Sequence, residues 1–420
     1  MGRSSVIICW KKRLVVTLSC CLALVGALQA EAAKTKILLW HEDAPIYRQL
    51  VDDFNRQSST IEVEHQVESM SGSMSTISDK VSVAIAAGVP PDVARFNRPY
   101  ASEWAAQGLL IALDPYLAQL NVTRDQFIPF AWDEGTYDGQ VYVLPEETDS
   151  RAVYYNKDIL AEAGFDTSSL PERLDDFDAM AQKLNVIGAD GRYTRYGFIP
   201  WSSQGGYLFS WTPSFDGQLY DPKADKITVN HPNNVKVFEW MLTYLSRYGS
   251  KVSGSFTSGV AAMNVNTNTS ITSYDAVDGL EWGVGYMPAP EYGVRRATYA
   301  GGFGVAIPLG AKHPREAAEF LAYWCGDEAQ LIRAKARGNF PATLKATRDP
   351  SFIRDPRQTV FINGLANAQA RPTIPILGDL WDGIKAATNR VLKDYEPPKS
   401  VLDDITRTMQ ARLDEVRAAK

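Results

Sequence analysis

Carboxylate, amide and guanidinium side chains follow the ends of two predicted strands in the first hundred residues. Glu42 and Asp43 come directly after the first buried apolar run, and Asn97 and Arg98 come after the third. Such groups accept hydrogen bonds from a polar solute or donate them to it. Asp43 could instead cap the helix that it precedes, and Asn97 and Arg98 could cap the next helix or pair on the surface. Both roles remain open from the sequence.

A second group of charged residues, Glu147, Asp149 and Arg151, precedes the aromatic run at Tyr154 and Tyr155. Carboxylates this close could form the acid and base of a glycosidase, which needs two carboxyl groups at a defined separation. Sequence spacing does not define that separation, and neighbouring acids commonly decorate a strand end. Arg151 could also hold Asp149 in a salt bridge. We therefore expect no catalytic residues, and an exported glycosidase or lyase is the alternative class.

Alternating strands and helices must position these groups. Residues 36–40, 61–67 and 92–96 read as strands, and helical spacing of apolar residues fills the segments between them. This alternation predicts an α/β fold with parallel pairing, in which ligands bind beyond the carboxyl ends of the strands. Aromatic residues among glycines predict loops over 201–220, and the chain is predicted to be mostly helical from 314 onward. A length of 420 residues exceeds one compact core and predicts more than one domain.

The first 32 residues have the pattern of a cleavable signal peptide. Basic residues at 11–13 precede an uncharged apolar run over 14–28, and Ala-Glu-Ala at 30–32 is a small-x-small cleavage site. The apolar run is shorter than the roughly 20 residues that span a bilayer. We therefore expect an exported, periplasmic protein whose mature chain begins near Ala33.

Removal of this segment changes the charge and the cysteine content. The segment carries four basic residues and one acidic residue, so its removal takes the net charge from −6 to −9. No block of basic residues remains, which argues against nucleic acid or an anionic membrane as a partner. Cys20 and Cys21 leave lipid anchoring open, and Cys325 alone remains, so no internal disulfide is expected. Isolated histidines and the lack of a phosphate-loop pattern predict neither a metal nor a cofactor.

Several short motifs, each weak alone, together resemble one known family through their order along the chain. They are Pro90-Pro91-Asp92-Val93, Gly108-Leu109-Leu110, Leu144-Pro145, Tyr154-Tyr155-Asn156-Lys157-Asp158, Gly301-Gly302-Phe303-Gly304 and Gly338-Asn339-Phe340-Pro341. The chain resembles the extracellular solute-binding proteins of ABC importers, in the sugar-binding branch that contains maltose-binding protein. The resemblance covers nearly all of the mature chain.

The resemblance implies a two-lobed α/β fold of the type II periplasmic-binding-protein class, whose crossing strands act as a hinge. The implied N-terminal lobe comprises residues 33–145 and 301–342, and the C-terminal lobe comprises 146–300 and 343–420. A mono- or oligosaccharide would stabilise the closed form by contacting both lobes, and membrane permease subunits would recognise that form. The implied protein is a monomer without enzymatic activity.

A sugar phosphate such as glycerol 3-phosphate is the alternative solute. Arg98, Arg151 and Arg371 could supply the cationic clamp that a phosphate requires. The sequence does not place these side chains relative to one another, so both solute classes stay open.

The polar, aromatic and glycine residues near predicted strand ends and loops, together with the resemblance, give a set of expected solute-binding residues. They are Glu42, Asp43, Ser73, Asn97, Arg98, Asp149, Trp201, Thr269, Tyr299, Gly301, Gly302, Arg371 and Trp381. Asp149 matches the sugar-binding carboxylate of the family, and Trp381 matches the tryptophan that stacks on a sugar ring. At least one ring among Trp201, Tyr207 and Trp211 is expected to stack on the solute. The two glycines would let the backbone approach a ligand closely.

Overall fold

The computed structural model describes residues 33–419 except 69–75, 201–206, 250–254, 292–297, 354 and 366–367. The predicted signal peptide and the predicted contacts Ser73 and Trp201 lie outside the described residues. The strands are β1 (Thr35–His41), β2 (Ile61–Val67), β3 (Val93–Asn97), β4 (Thr136–Tyr137), β5 (Gln140–Val141), β6 (Val143–Pro145), β7 (Arg151–Asn156), β8 (Val186–Ile187), β9 (Tyr193–Arg195), β10 (Tyr220–Asp221), β11 (Lys226–Ile227), β12 (Met263–Thr267), β13 (Trp282–Gly285) and β14 (Phe303–Ala306).

Helices surround the two larger sheets. They are α1 (Pro45–Gln57), α2 (Thr76–Ala86), α3 (Ala101–Ala106), α4 (Asp114–Leu117), α5 (Pro129–Glu134), α6 (Lys157–Glu162), α7 (Leu174–Lys183), α8 (Tyr207–Trp211), α9 (Pro232–Tyr248), α10 (Ser270–Asp275), α11 (Pro314–Trp324), α12 (Asp327–Arg337), α13 (Leu344–Thr347), α14 (Pro356–Leu365), α15 (Leu377–Leu392) and α16 (Pro398–Ala418). Short 3-10 turns lie at Arg98–Tyr100 and Arg124–Gln126. None of the helices within the described ranges combines the length and apolar character that crossing a membrane requires.

The first sheet has the strand order β2-β1-β3-β14-β6. As predicted, β1 pairs in parallel with β2 and with β3, and helices connect β1 to β2 and β2 to β3 along the chain. The late strand β14 instead runs antiparallel to both β3 and β6. All five residues of β3 are buried, so its last residue, Asn97, is held rigidly at the edge of the core.

The second sheet has the order β12-β7-β13, and both neighbours run antiparallel to β7. Parallel pairing was predicted only for the strands over 36–96, and the pairing of this second sheet was not predicted. Tyr154 at the centre of β7 is fully buried and packs against Tyr274 and Trp282 with ring centroids 5.0 and 5.4 Å away. This aromatic packing anchors the strand that follows Asp149.

The chain passes between the two sheets in adjacent segments. It leaves the first sheet at Pro145 and enters the second at Arg151, and it returns between Gly285 and Phe303. These crossings are paired to one another by isolated bridges between Asp149 and Gly301 and between Thr148 and Phe340. The crossing segments therefore form one hydrogen-bonded strip between the sheets.

The predicted loop over 201–220 contains a short helix, α8, in its described part. Trp211 is fully buried, donates its indole N–H to the carbonyl of Pro200 at 2.8 Å, and packs against Trp240 at 4.5 Å. Trp211 is therefore a core residue and not the solute-stacking ring that was considered. The side chains of Trp201 and Tyr207 lie outside the described part of the chain, so the prediction that one of the three rings stacks on the solute stays open for these two.

Candidate functional site

A cleft of about 880 Å³ lies where the end of β3, the crossing strip, α3 and α15 meet. Its volume falls in the range of sites for small molecules. Seven predicted binding residues line it: Asn97, Asp149, Thr269, Tyr299, Gly302, Arg371 and Trp381. Residues from distant parts of the chain thus converge on one cavity.

Asp149 and Arg151 form an ion pair on the wall of this cleft. Their side chains are 19% and 10% exposed, so each keeps only a narrow face towards the cavity. Burial opposes the charge of Arg151, but the neighbouring Asp149 carboxylate outweighs it and raises the pKa of the guanidinium. Arg151 also lies over the Tyr299 ring at 3.9 Å from its centroid. Asp149 therefore forms the salt bridge with Arg151 that the sequence left open. It also borders the cavity, so it remains available to a solute.

Arg371 lies in the segment before α15 and borders the cleft. Its partners, Asn97 and Glu134, come from the part of the chain that contains the first sheet. Its Nη2 donates to Asn97 Oδ1 at 3.1 Å, and its backbone N–H donates to Glu134 Oε1 at 3.1 Å. The Nε of Arg371 lies 3.7 Å from the same Glu134 oxygen. A fully buried carboxylate therefore compensates this cation.

Aromatic rings form one side of the cleft. Trp381, on the second turn of α15, stacks on Phe209 at 4.7 Å with an interplanar angle of 25°. Phe209 also meets the edge of Tyr299 at 6.1 Å. Phe209 thus supports Trp381 from behind, which keeps the indole in place beside the cavity.

Arg98 was predicted to bind the solute, and this prediction is wrong. It is fully buried and pairs with Glu134 at 3.0 Å, and its Nη atoms donate to the carbonyls of Glu147 and Gly301 at 2.7 and 2.9 Å. These partners belong to two crossing segments. Arg98 therefore ties the crossing strip together and does not line the cleft.

Glu42 and Asp43 also lie away from the cleft, which corrects the prediction for the first strand end. Glu42 pairs with Arg337 at 3.1 Å and with Arg95 at 3.3 Å, and Asp43 pairs with Arg48 on the surface. The loop after β1 is turned towards α12 rather than towards the cavity. Neither acid has the helix-capping role either, because the cap residue of α1 is Ala44.

Gly301 and Gly302 permit close approach of neighbouring protein groups, and Gly302 also borders the cleft. Gly302 has a φ of 138°, and a Cβ there would collide with the carbonyl of Glu147. A Cβ on Gly301 would lie 2.7 Å from Nη2 of Arg371. Both glycines are therefore required by the packing of the crossing strip.

Glu42 belongs to a buried ionic network, which we call the crossing cluster: His41, Glu42, Arg95, Glu146 and Glu147. Arg95 pairs with all three carboxylates, and Glu146 also accepts from Trp324 Nε1 at 2.7 Å. Burial, together with repulsion from Glu146 and Glu42, raises the pKa of Glu147 to about 7 against the opposing effect of Arg95. The attraction of Arg95 and His41 overcomes burial at Glu146 and lowers its pKa.

Several cleft residues were not predicted. They are Asp79, Ser82, Tyr100, Glu103, Trp104, Gln107, Leu109, Phe303, Asn339, Gly378, Asp382 and Lys385. Most lie on α2, α3 and α15, one or two helical turns beyond a strand end or beside Trp381. Helical spacing from Trp381 could have indicated Lys385, four residues on, but nothing in the sequence showed that α2 and α3 border the cavity.

The described ranges contain no group of three or more His, Cys, Asp or Glu residues placed to hold a metal ion. Cys325 is buried, and burial raises the pKa of its thiol well above the usual value. The chemistry that the cleft offers is hydrogen bonding from carboxylate, amide and guanidinium groups together with stacking on aromatic rings.

Known proteins share this organisation. Residues 49–359 match the family model described as bacterial extracellular solute-binding protein. A maltotriose-binding protein of Pyrococcus abyssi is 23% identical over 408 residues, which cover 92% of this chain and 83% of that protein. The glycerol-3-phosphate-binding periplasmic protein UgpB of Rhizobium meliloti is 23% identical over 352 residues, covering 79% and 80%.

The fold is likewise shared with solved structures. CpMnBP1 with mannotriose bound superposes with a TM-score of 0.76 at 23% identity, covering 89% of this chain and 99% of that one. At this identity the likeness concerns the fold, which is the two-lobed α/β arrangement expected from the sequence motifs. The family match spans most of the chain, both sheets and the crossings between them. This protein belongs to the bacterial extracellular solute-binding protein family.

Proposed function

We propose that this protein captures an uncharged saccharide in the cleft between its two lobes and delivers it, from the periplasm, to the permease subunits of an ABC importer. Its family consists of binding proteins rather than enzymes. One observation carries the choice of solute: the cleft places Trp381 and Tyr299 beside Asp149, Asn97 and Arg371. Aromatic rings fit the faces of a sugar, and the polar groups fit its hydroxyls.

The charges around the cleft support an uncharged solute over a sugar phosphate, although UgpB is among the relatives. Of the three arginines considered for a phosphate clamp, Arg98 is buried away from the cavity, and Arg151 is paired with Asp149. Arg371 is held by Asn97 and Glu134. A phosphate would have to compete with carboxylates for these cations, whereas a hydroxyl can bind without breaking the pairs.

We propose that the hinge lies between two lobes. The N-terminal lobe comprises residues 33–145 and 301–342, and the C-terminal lobe comprises residues 146–300 and 343–420. The first sheet lies in the former, and the second sheet in the latter, together with α15 and α16, which pack on α9. The crossing strip is then the segment that must bend, and the solute stabilises the closed form because it touches both lobes.

Thermal unfolding of the mature chain with a solute panel tests this function. The panel holds glucose, maltose, maltotriose, mannose, mannotriose and glycerol 3-phosphate. A bound solute raises the free energy of unfolding by RT ln(1 + [L]/Kd), so at least one saccharide is expected to raise the unfolding midpoint in a concentration-dependent way. Trp381→Ala is expected to abolish most of that increase. An increase with glycerol 3-phosphate alone would contradict the saccharide proposal, and turnover of a glycoside would contradict the binding role.

A further inference from the structure

Glu134, the last residue of α5, is a fully buried carboxylate that does not line the cleft but binds two arginines beside it. One carboxyl oxygen, Oε2, pairs with Nη2 of Arg98 at 3.0 Å. The other, Oε1, accepts the backbone N–H of Arg371 at 3.1 Å and lies 3.7 Å from Nε of the same residue. One negative charge is therefore shared by two buried guanidinium groups.

Both of these arginines lie at the wall of the cleft. Arg371 borders the cavity directly. Arg98 lies behind Gly302, which also borders the cavity, because a Cβ on that glycine would be 2.8 Å from Nη1 of Arg98. Burial lowers the pKa of the Arg98 guanidinium, and repulsion from Arg371 adds to this effect against the attraction of Glu134. The two cations therefore interact, and Glu134 offsets their repulsion.

The third arginine considered for a phosphate clamp has a separate carboxylate. Arg151 pairs with Asp149, which itself borders the cavity. A substitution of Asp149 would therefore remove a hydrogen-bond acceptor for the solute together with the charge. Glu134 differs, because it compensates cations at the cleft wall without bordering the space in which a solute lies. Its charge can be removed without altering any side chain that lines the cavity.

A charge behind the wall of a cavity still affects what binds inside it. Water screens charges weakly at a buried site, so two charges several Å apart interact much more strongly there than in bulk water. A site whose arginines are paired with carboxylates suits a neutral solute. A site with unpaired guanidinium groups suits a phosphate, which arginine binds through charge-assisted hydrogen bonds. The carboxylate of Glu134 therefore controls how much positive charge the cleft presents to a solute.

We propose that Glu134 is a specificity-determining residue, which cancels the positive charge of Arg98 and Arg371 from behind the cleft wall and so excludes phosphorylated sugars in favour of uncharged ones. The inference rests on the proposed saccharide-binding function of the same cleft. It assigns the rejection of anionic solutes to a side chain that the solute does not touch.

Titration calorimetry with neutral and phosphorylated probes tests this assignment on the full mature chain. The neutral probe is the saccharide found by the panel, and the phosphorylated probes are glucose 6-phosphate, mannose 6-phosphate and glycerol 3-phosphate. The wild type is expected to bind the neutral probe at least tenfold more tightly than any phosphorylated one. Glu134→Gln keeps the size of the side chain and removes its charge. The ratio of the neutral to the tightest phosphorylated affinity is expected to shift at least tenfold towards the phosphate.

Two matched variants separate the charge from its surroundings. Glu134→Asp keeps the carboxylate, so it is expected to keep the wild-type preference, which a merely structural role would not predict for a shortened side chain. Asp133→Asn removes the same charge one residue earlier, from an exposed pair with Arg124, and should leave both affinities within twofold of the wild type.

A double variant covers the case in which Glu134→Gln does not fold. Removing one partner of a buried ion pair destabilises a protein strongly, whereas replacing both partners by neutral groups is often tolerated. Arg98→Gln/Glu134→Gln replaces both members of this pair and still leaves Arg371 without its carboxylate. The same shift in the affinity ratio is therefore expected, by at least threefold.

The outcomes separate this inference from the proposed function. If the variants without the Glu134 charge fold, by circular dichroism, but gain no affinity for any phosphorylated probe, the inference is wrong and saccharide binding stands. An equal change in both affinities would also overturn it. A wild-type chain that binds glycerol 3-phosphate and no saccharide would contradict the proposed function itself. A gain for phosphorylated probes that is absent from Glu134→Asp and Asp133→Asn would support the assignment.

Discussion

The crossing cluster and the cleft are two polar regions that share the crossing segment between Pro145 and Arg151, which contributes Glu146 and Glu147 to the first and Asp149 to the second. Both combine arginines with carboxylates that follow strand ends. In the crossing cluster Arg95 pairs with Glu42, Glu146 and Glu147, and its side chain is only 3% exposed. In the cleft the Asp149 side chain is 19% exposed and borders an open cavity of about 880 Å³.

The difference shows that the role of a charged residue after a strand depends on its surroundings. The residue can be enclosed by protein partners, or it can face a cavity. A charge whose partners all come from the protein stabilises one arrangement of the chain, and removing one partner leaves the others buried and unpaired. A charge that keeps a face towards a cavity can exchange water for a ligand. The two regions should therefore respond oppositely to mutation, one in stability and the other in affinity.

Arg95→Ala should produce the largest effect. It leaves Glu146 and Glu147 buried without their shared cation, so the free energy of unfolding is expected to fall by about 3–5 kcal/mol in denaturant titrations. Arg124→Ala is the control, because Arg124 and Asp133 form an exposed pair and its loss should change stability by less than about 1 kcal/mol. Similar losses in the two variants would contradict a structural role for the crossing cluster.

Asp149→Asn should affect binding more than stability. The solute affinity is expected to fall about thirtyfold, or about 2 kcal/mol, because a charged acceptor for solute hydroxyls becomes a weaker neutral one. Calorimetry with the saccharide found by the panel measures this. Asp133→Asn removes a carboxylate that also pairs with an arginine, but on the surface, and should leave affinity unchanged. If Asp149→Asn changed the free energy of unfolding but not the affinity, Asp149 would have a structural role like that of the crossing cluster.

Glu147→Gln should change the pH dependence of stability. Glu147 has its pKa raised to about 7 in the folded protein, whereas an unfolded glutamate titrates near about 4.3. Its contribution to stability is therefore complete below the unfolded pKa and is lost as the pH rises through about 7. The wild type should therefore lose stability relative to Glu147→Gln between these two pH values, in urea titrations at each pH.

Neighbouring titrations do not obscure this comparison. Glu146, with its lowered pKa, contributes stability that is present above the unfolded pKa and lost only as the pH falls further. Glu62→Gln, at an exposed residue paired with Lys36 at 3.6 Å, is the control and should show the wild-type profile. Parallel profiles for wild type and Glu147→Gln would show that Glu147 titrates normally.

Glu103→Ala should give the smallest effect, at the contact between α3 and α15. Glu103 Oε2 accepts from the backbone N–H of Gly378 at 2.9 Å, and Ile376, the cap residue of α15, provides no side-chain cap. Loss of this cap should cost about 1 kcal/mol of stability and, because α15 carries Trp381, lower affinity two- to fivefold. Glu319→Ala, on the surface of α11, is the control for a helical glutamate outside the cleft.

Much of the fold was predictable from local patterns. The strand over 61–67 matches its predicted bounds, and helices occupy the segments predicted from 314 onward. These elements have clear apolar periodicity. The strand order and directions of the second sheet were not predicted, because β7 lies far along the chain from both of its partners and their pairing leaves no local pattern.

For the site, the sequence and its family resemblance determined which residues carry suitable groups, and Asn97, Asp149, Arg371 and Trp381 do line the cleft. Only the tertiary structure decided that Arg98 and Glu42 are bound within the protein and that α2 and α3 border the cavity. The physical reason is that the direction of a side chain after a strand depends on partners far along the chain. Glu134, 36 residues from Arg98 and 237 from Arg371, binds both, and no local pattern encodes that choice.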